Sequence, residues 1–139
     1  MPARDIFHDA VRAGLENEGW VITADPFRIK LDEKIEVYID LAAEKIIAAQ
    51  KEEQKIAVEI KSFVGKSVIE DFHTALGQFL NYRAALEIHQ DDHQLYLAVP
   101  VEVYRSFFWR RLPQLVIQEH NIKVIVYDPV KEVFVEWLS

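Results

Sequence analysis

The sequence predicts an α/β fold: a mixed β-sheet flanked by helices on both faces. Three features carry that expectation. Apolar residues recur at helical spacing near the start of the chain and again after Ser67. Between those stretches lie short alternating segments bounded by turn residues, the pattern of a strand meander. Beyond the second helical stretch strand and helix alternate, as in a β-helix-β crossover that lays strands parallel.

Each element follows from its own pattern. Residues 4–18 place Ile6, Phe7, Ala10, Val11, Gly14 and Leu15 on one helical side and Asp5, Asp9, Arg12 and Glu16 on the other, and Gly19 ends the helix. Trp20 to Thr23 is strand-like, and Asp25-Pro26 breaks it; Phe27 to Leu31 reads as its continuation. Ile35 to Leu41 alternates, with Ile35, Val37, Ile39 and Leu41 on one side. Lys45 to Gln50 fits strand or short helix equally. Lys55 to Lys61 is a strand with Ile56, Val58 and Ile60 as its core side.

Ser67 followed by Glu70 is a capping box. It opens a helix with Ile69, Phe72, Leu76, Phe79, Leu80 and Leu86 as its apolar stripe. A polar stretch from His89 to His93 leads into the strand Leu95 to Val99, stopped by Pro100. A helical stretch runs from Val101 to about Glu119, interrupted at Pro113. Ile122 to Tyr127 is a buried strand, Asp128-Pro129 a turn, and Val130 to Trp137 a last alternating strand at an edge.

The totals bound the function. A chain of 139 residues suits one domain, 1–139, with half of its residues hydrophobic. Such a chain buries roughly two-thirds of its unfolded surface and needs no covalent staples. It has no cysteine, which excludes disulfides and thiolate metal sites and points to a reducing, cytoplasmic setting. The opening Met1 to Asp5 is not followed by the apolar region of a signal peptide. No apolar run approaches the roughly 20 residues a bilayer span needs, so no membrane role is expected. The net charge of -7 argues against a protein that coats nucleic acid, since that affinity comes from lysine and arginine. It leaves room for an enzyme that meets DNA through a local patch, a metal or a basic partner.

One constellation carries chemistry. Glu59 and Lys61 are two apart on a strand and share a face. Asp40 lies on the preceding alternating strand, on the side away from Val37 and Ile39. If those strands form a hairpin, Asp40 and Glu59 meet. Two carboxylates that close repel unless a cation lies between them. Oxygen ligands favour Mg²⁺ or Mn²⁺. Such an ion polarises a phosphodiester and lowers the pKa of an attacking water, and Lys61 orients that water or stabilises developing charge. Gln78 and Tyr82, four apart on the next helix, present an amide and a hydroxyl on one side. Spacing alone equally fits a solvated salt bridge at a strand end and a polar helix face.

The remaining candidates have bland readings beside the functional ones. His8, one turn into the first helix, is a candidate substrate contact or a satisfied packing residue. His73 abuts Phe72 and reads as packing. His89, Asp91, Asp92 and His93 read as a solvated turn with incidental metal-binding capacity. Arg105, Arg110 and Arg111, interleaved with Phe107, Phe108 and Trp109, fit phosphate and base contacts or a protein interface.

The runs MPARDIFHDAV, VYIDLAAEKIIAAQK, KIAVEIKSF, FHTALGQFLNYRAAL, LYLAVPVEVY and IKVIVYDP, spread over nearly the whole chain, resemble the XisH family of excision controlling factors. The resemblance implies a role in programmed excision of a DNA element that interrupts a ferredoxin gene. It implies action beside a site-specific recombinase and a small XisI-like companion. It also implies the PD-(D/E)XK, restriction-endonuclease-like αβββαβ core, with its acids and lysine on the second and third strands. Carried over, Asp40 stands as the first acid, Glu59 and Lys61 as the second acid and lysine, and Gln78 and Tyr82 as the polar helix residues. Ile39 stands where the class label has proline, which is not a ligand. The resulting expectation is a Mg²⁺- or Mn²⁺-dependent deoxyribonuclease site. The competing expectation is a non-catalytic module that binds the companion or the recombinase. Edge pairing through the last strand would make a homodimer.

Overall fold

The first helix, α1 (His8–Asn17), exists because Val11 and Leu15 stack one turn apart and are fully buried. It is shorter than the apolar spacing from residue 4 suggests. Ile6 is exposed, and Asp5 sits in the turn before the helix, where its Oδ1 accepts the Phe7 N–H at 2.9 Å. The computed structural model of the protein describes residues 4–47, 49 and 52–139. After α1 come β1 (Val21–Ala24), β2 (Phe27–Lys30), β3 (Glu36–Ile39), β4 (Leu41–Ile47), β5 (Glu52–Ile60) and α2 (Val68–Ile88). They are followed by β6 (Gln94–Pro100), α3 (Val101–Val103), a π-helical turn (Tyr104–Phe108), α4 (Arg111–His120), β7 (Lys123–Asp128) and β8 (Val133–Leu138). No helix among these is long and apolar enough to cross a membrane.

Six strands form a mixed sheet in the order β1-β4-β5-β6-β7-β8, with β1 and β8 at its edges. β4 and β5 are an antiparallel hairpin, and β5, β6 and β7 run parallel. Both faces of the sheet are covered. Val58 and Ile60 of β5 join Val11 and Leu15 of α1 in one core. Ala57 of the same strand joins Phe72, Ala75 and Phe79 of α2 and Phe108 in the other. An interior strand buried on both sides reads as the continuous apolar run seen here.

Four local expectations change. Phe27 to Leu31 does not prolong β1; after the Asp25-Pro26 turn it pairs with β3 in a separate two-stranded sheet. Ile35 to Leu41 is not one strand. It breaks at Asp40, so that Ile39 enters the α2-side core and Leu41 the α1-side core. Of the capping box, the Ser67 hydroxyl accepts the Glu70 N–H at 3.3 Å, and the reciprocal bond is not made among the described residues. The helical stretch after β6 breaks at Trp109–Arg110 rather than at Pro113. Pro113 lies in the first turn of α4, where a missing N–H costs no helical bond. Lys45 to Gln50 is strand through Ile47, while Ala48 and Gln50 lie outside the described residues.

Candidate functional site

The break at Asp40 builds the site. β4 pairs with β5 from Leu41 opposite Val58, so the residue before β4 falls beside Glu59. The two acids grip each other's strands. Asp40 Oδ2 accepts the Ile60 N–H at 2.8 Å, and Glu59 Oε1 accepts the Asp40 N–H at 3.3 Å. Each carboxylate thus commits one oxygen to backbone. Lys61 Nζ stands 4.0 Å from Glu59 Oε2 and is itself largely buried.

Asp40, Glu59, Ile60 and Lys61 line one cavity of about 130 Å³, together with Gln78, Tyr82, Tyr38, Arg4 and Asp5. α2 contributes Gln78 and Tyr82 because they face the strand while Phe72 and Phe79 hold the helix on the sheet. Gln78 Oε1 is buried with no hydrogen-bond partner among the described residues. A larger hollow of about 430 Å³ lies elsewhere, between Trp20, Lys45, Tyr96 and Trp137; it too carries acids and lysines, but Glu18, Glu52, Glu53 and Asp92 are exposed side chains rather than a buried pair.

The electrostatics follow from burial. Glu59 is 4% exposed. Its carboxyl is pushed up to about 9, first by burial and then by the adjacent Asp40 charge, with Lys61 opposing. Asp40 is raised by burial as well, against the Ile60 N–H that favours its ionised form. With no cation present, the pair retains a proton at neutral pH. Burial and the same two acids also raise Tyr82 above its ordinary value, so its hydroxyl stays protonated and can donate a hydrogen bond.

His8 lies apart from this cavity's lining. It is 3% exposed, and its Nε2 is 2.8 Å from Asp25 Oδ1, although the angles are not those of a hydrogen bond. Asp25 also binds Arg4 and Arg12. Burial raises the Asp25 carboxyl, but His8, Arg12 and Arg4 outweigh that and hold it below the usual range. His8 therefore belongs to a cluster tying α1 to the end of β1; it does not line the cavity, but it is near enough to Asp40 to favour that carboxylate's ionised form. His73 is exposed. Asp91, Asp92 and His93 bring their ligand atoms within 4.8 Å of one another. Asp91 is already bound by the His93 ring and N–H, and Asp92 lies 3.7 Å from Lys55.

Sequence reasoning missed the wall formed by Asp5. Its Oδ2 accepts the Ser62 N–H at 2.9 Å across 57 residues of sequence, while the Tyr127 hydroxyl donates to the Lys61 carbonyl at 3.3 Å. These bonds fix the strand end that carries Lys61. The only local signal was an acid just before a helix, which usually reads as a cap.

Comparisons with known proteins agree with this architecture. The family model described as XisH protein matches residues 1–135. The crystal structure of an XisH family protein from Nostoc punctiforme PCC 73102 is 43% identical, with a TM-score of 0.86, covering 97% of this chain and 100% of that one. That of a fdxN element excision controlling factor protein from Anabaena variabilis is 44% identical, with a TM-score of 0.86, covering 98% of this chain and 100% of that one. Among curated proteins none matches. With a family model spanning nearly its full length and relatives of this identity sharing its fold, the chain belongs to the XisH family.

Proposed function

We propose that this chain acts in controlling excision of a DNA element, through a divalent-metal-dependent site that hydrolyses DNA phosphodiesters. The first half rests on the Anabaena variabilis relative, an excision controlling factor. The second rests on one observation. Two carboxylates, half-buried Asp40 just before β4 and buried Glu59 on β5, lie side by side in an open cavity with an ammonium next to them.

The donor set fits a hard cation. Asp40 and Glu59 would hold Mg²⁺ or Mn²⁺, and Gln78, which lines the same cavity, has a buried Oε1 with no hydrogen-bond partner among the described residues. Such an ion, when bound, supplies Lewis-acid charge to a phosphate and acidifies a water. The chain's own groups do the rest. Lys61, fixed by the bonds at residues 61 and 62, offers positive charge where the phosphate gains negative charge. Tyr82 keeps its proton and donates to a phosphate oxygen. The Asp and Glu-x-Lys arrangement resembles that of PD-(D/E)XK nucleases.

The test is cleavage of supercoiled, linear, single-stranded and branched DNA by purified protein with Mg²⁺ or Mn²⁺. The expected result is cleavage that Glu59→Ala and Lys61→Ala abolish. No cleavage above the Glu59→Ala control on any substrate refutes hydrolysis. It would favour a non-catalytic role beside a XisI-like companion or a recombinase.

A further inference from the structure

We propose that Arg105, Trp109, Arg110 and Arg111 form a nucleic-acid-binding shoulder beside the Asp40–Glu59 cavity. This deepens the DNA reading above and rests on it for the identity of the substrate.

The first observation is which arginines are free. Of the seven in the chain, four are engaged: Arg4 and Arg12 bind Asp25, Arg28 binds Glu36, and Arg83 binds the His120 carbonyl. Arg105, Arg110 and Arg111 are exposed and make no ion pair or side-chain hydrogen bond among the described residues. Three unneutralised guanidiniums within seven residues stand out on a chain of net charge -7. Guanidinium groups suit phosphate oxygens, which they bind in pairs of parallel bonds.

The second observation is Trp109, which is 68% exposed. Tyr104 meets it edge-on at 6.4 Å. An indole held by a neighbour and open to solvent is a platform on which a base stacks. The backbone there is unusual too. Tyr104–Phe108 is a π-helical turn, a rare conformation often found at functional positions.

The third observation is location. β5 and β6 run parallel, with Glu59 opposite Leu97 and the Lys61 N–H bonded to Ala98. Both interior strands therefore have their C-terminal ends at the same end of the sheet. β5 delivers Glu59 and Lys61 there, and β6 passes into the helical segment that carries Arg105 and Trp109. The two exits touch: Phe63 packs edge-on against Phe108 at 5.5 Å. In this proposal a DNA strand whose phosphate lies in the cavity would run past the Phe63–Phe108 junction toward the shoulder.

The test uses full-length Glu59→Gln protein, so that DNA survives the measurement, and fluorescence anisotropy with single-stranded and duplex oligonucleotides over a salt series. Adding Arg105→Ala, Arg110→Ala and Arg111→Ala should flatten the log–log salt dependence by about 2 on single strands and nearly 3 on duplex. Adding Trp109→Ala should weaken single-strand binding by about 5-fold or more. All four side chains are exposed, so melting temperatures should match the parent.

Cleavage by the matching variants on the wild-type background separates the two proposals. If the wild type cleaves and the triple-arginine variant shows equal affinity, salt slope and cleavage, the shoulder is wrong and the catalytic reading stands. If the arginines govern binding but the wild type never cleaves, the shoulder stands without hydrolysis. Unchanged DNA affinity with self-association lost in Trp109→Ala would make the patch a protein interface and overturn the proposal.

Discussion

Replacing Glu59 by glutamine should stabilise the protein in divalent-ion-free buffer, and increasingly so as pH rises. Glu59 titrates near 4.5 when unfolded and near 9 when folded. Between those values the unfolded chain has released a proton that the folded chain keeps. A raised folded value means stability is complete below the unfolded value and is lost as pH climbs toward the folded one. One such proton costs on the order of 1 kcal/mol per pH unit, or roughly 3 kcal/mol from pH 6 to pH 8. For a chain of this size that is on the order of 10 °C in melting temperature. The proton belongs to the acid pair as a unit.

Glutamine preserves shape and an acceptor for the Asp40 N–H but cannot ionise. Asp40 keeps the Ile60 N–H bond that favours its ionised form. The assay is thermal unfolding of both proteins at pH 6, 7 and 8 with chelator. The wild type should lose stability steeply across that range and the variant should not. Mg²⁺ at about 100 times its dissociation constant should return roughly 2.7 kcal/mol to the wild type alone. Parallel pH slopes for the two proteins would refute the buried shared proton.

Three further outcomes follow from neighbouring contacts. Asp25→Ala should cost about 1–3 kcal/mol in denaturant unfolding, because it strips the partner from buried His8 and from two arginines. Because Asp25 is held below its ordinary value, the stability it provides is present above that value and is lost as pH falls below about 4; acid unfolding of Asp25→Ala should lack this step. Gly14→Ala should destabilise, since the added methyl would lie 2.6 Å from the Phe134 ring and push α1 off β8; an unchanged melting temperature would contradict that close approach. Asp5→Ala should lower kcat more than it raises KM, with Asp5→Asn recovering part of the loss because its carbonyl still reaches the Ser62 N–H; equal kcat for all three would remove Asp5 from the support of Lys61.

The site was partly legible because its grammar is local. Glu-x-Lys on one strand face follows from the two-residue repeat, and Gln78 and Tyr82 from the helical one. What periodicity could not show was the kink at Asp40. Alternation from Ile35 to Leu41 looks uninterrupted, yet Ile39 and Leu41 enter opposite cores, since each finds apolar surface on its own side of the sheet. Asp5 was illegible for a different reason. Its partner at Ser62 lies 57 residues away, and nothing in either segment announces the other. The Asp25 partner of His8 was illegible because a histidine on an amphipathic helix gives no sign of whether a carboxylate waits beneath it.

The acidity of the chain, which argued against coating DNA, does not bear on how this end of the sheet meets a polyanion. Surface charges act over a Debye length of about 8 Å at physiological salt, so the formal -7 is felt locally and not as a sum. What a phosphate meets at the cavity is Lys61 beside an acid pair that carries either a proton or a cation. On the proposal above, what it would meet next is a shoulder of arginines that bind no acid among the described residues. A site of this kind binds DNA weakly when the acid pair is fully ionised and better once a divalent ion sits between the carboxylates. Its affinity should therefore rise with Mg²⁺ in wild type and much less in Glu59→Gln, where one of the two carboxylates is gone.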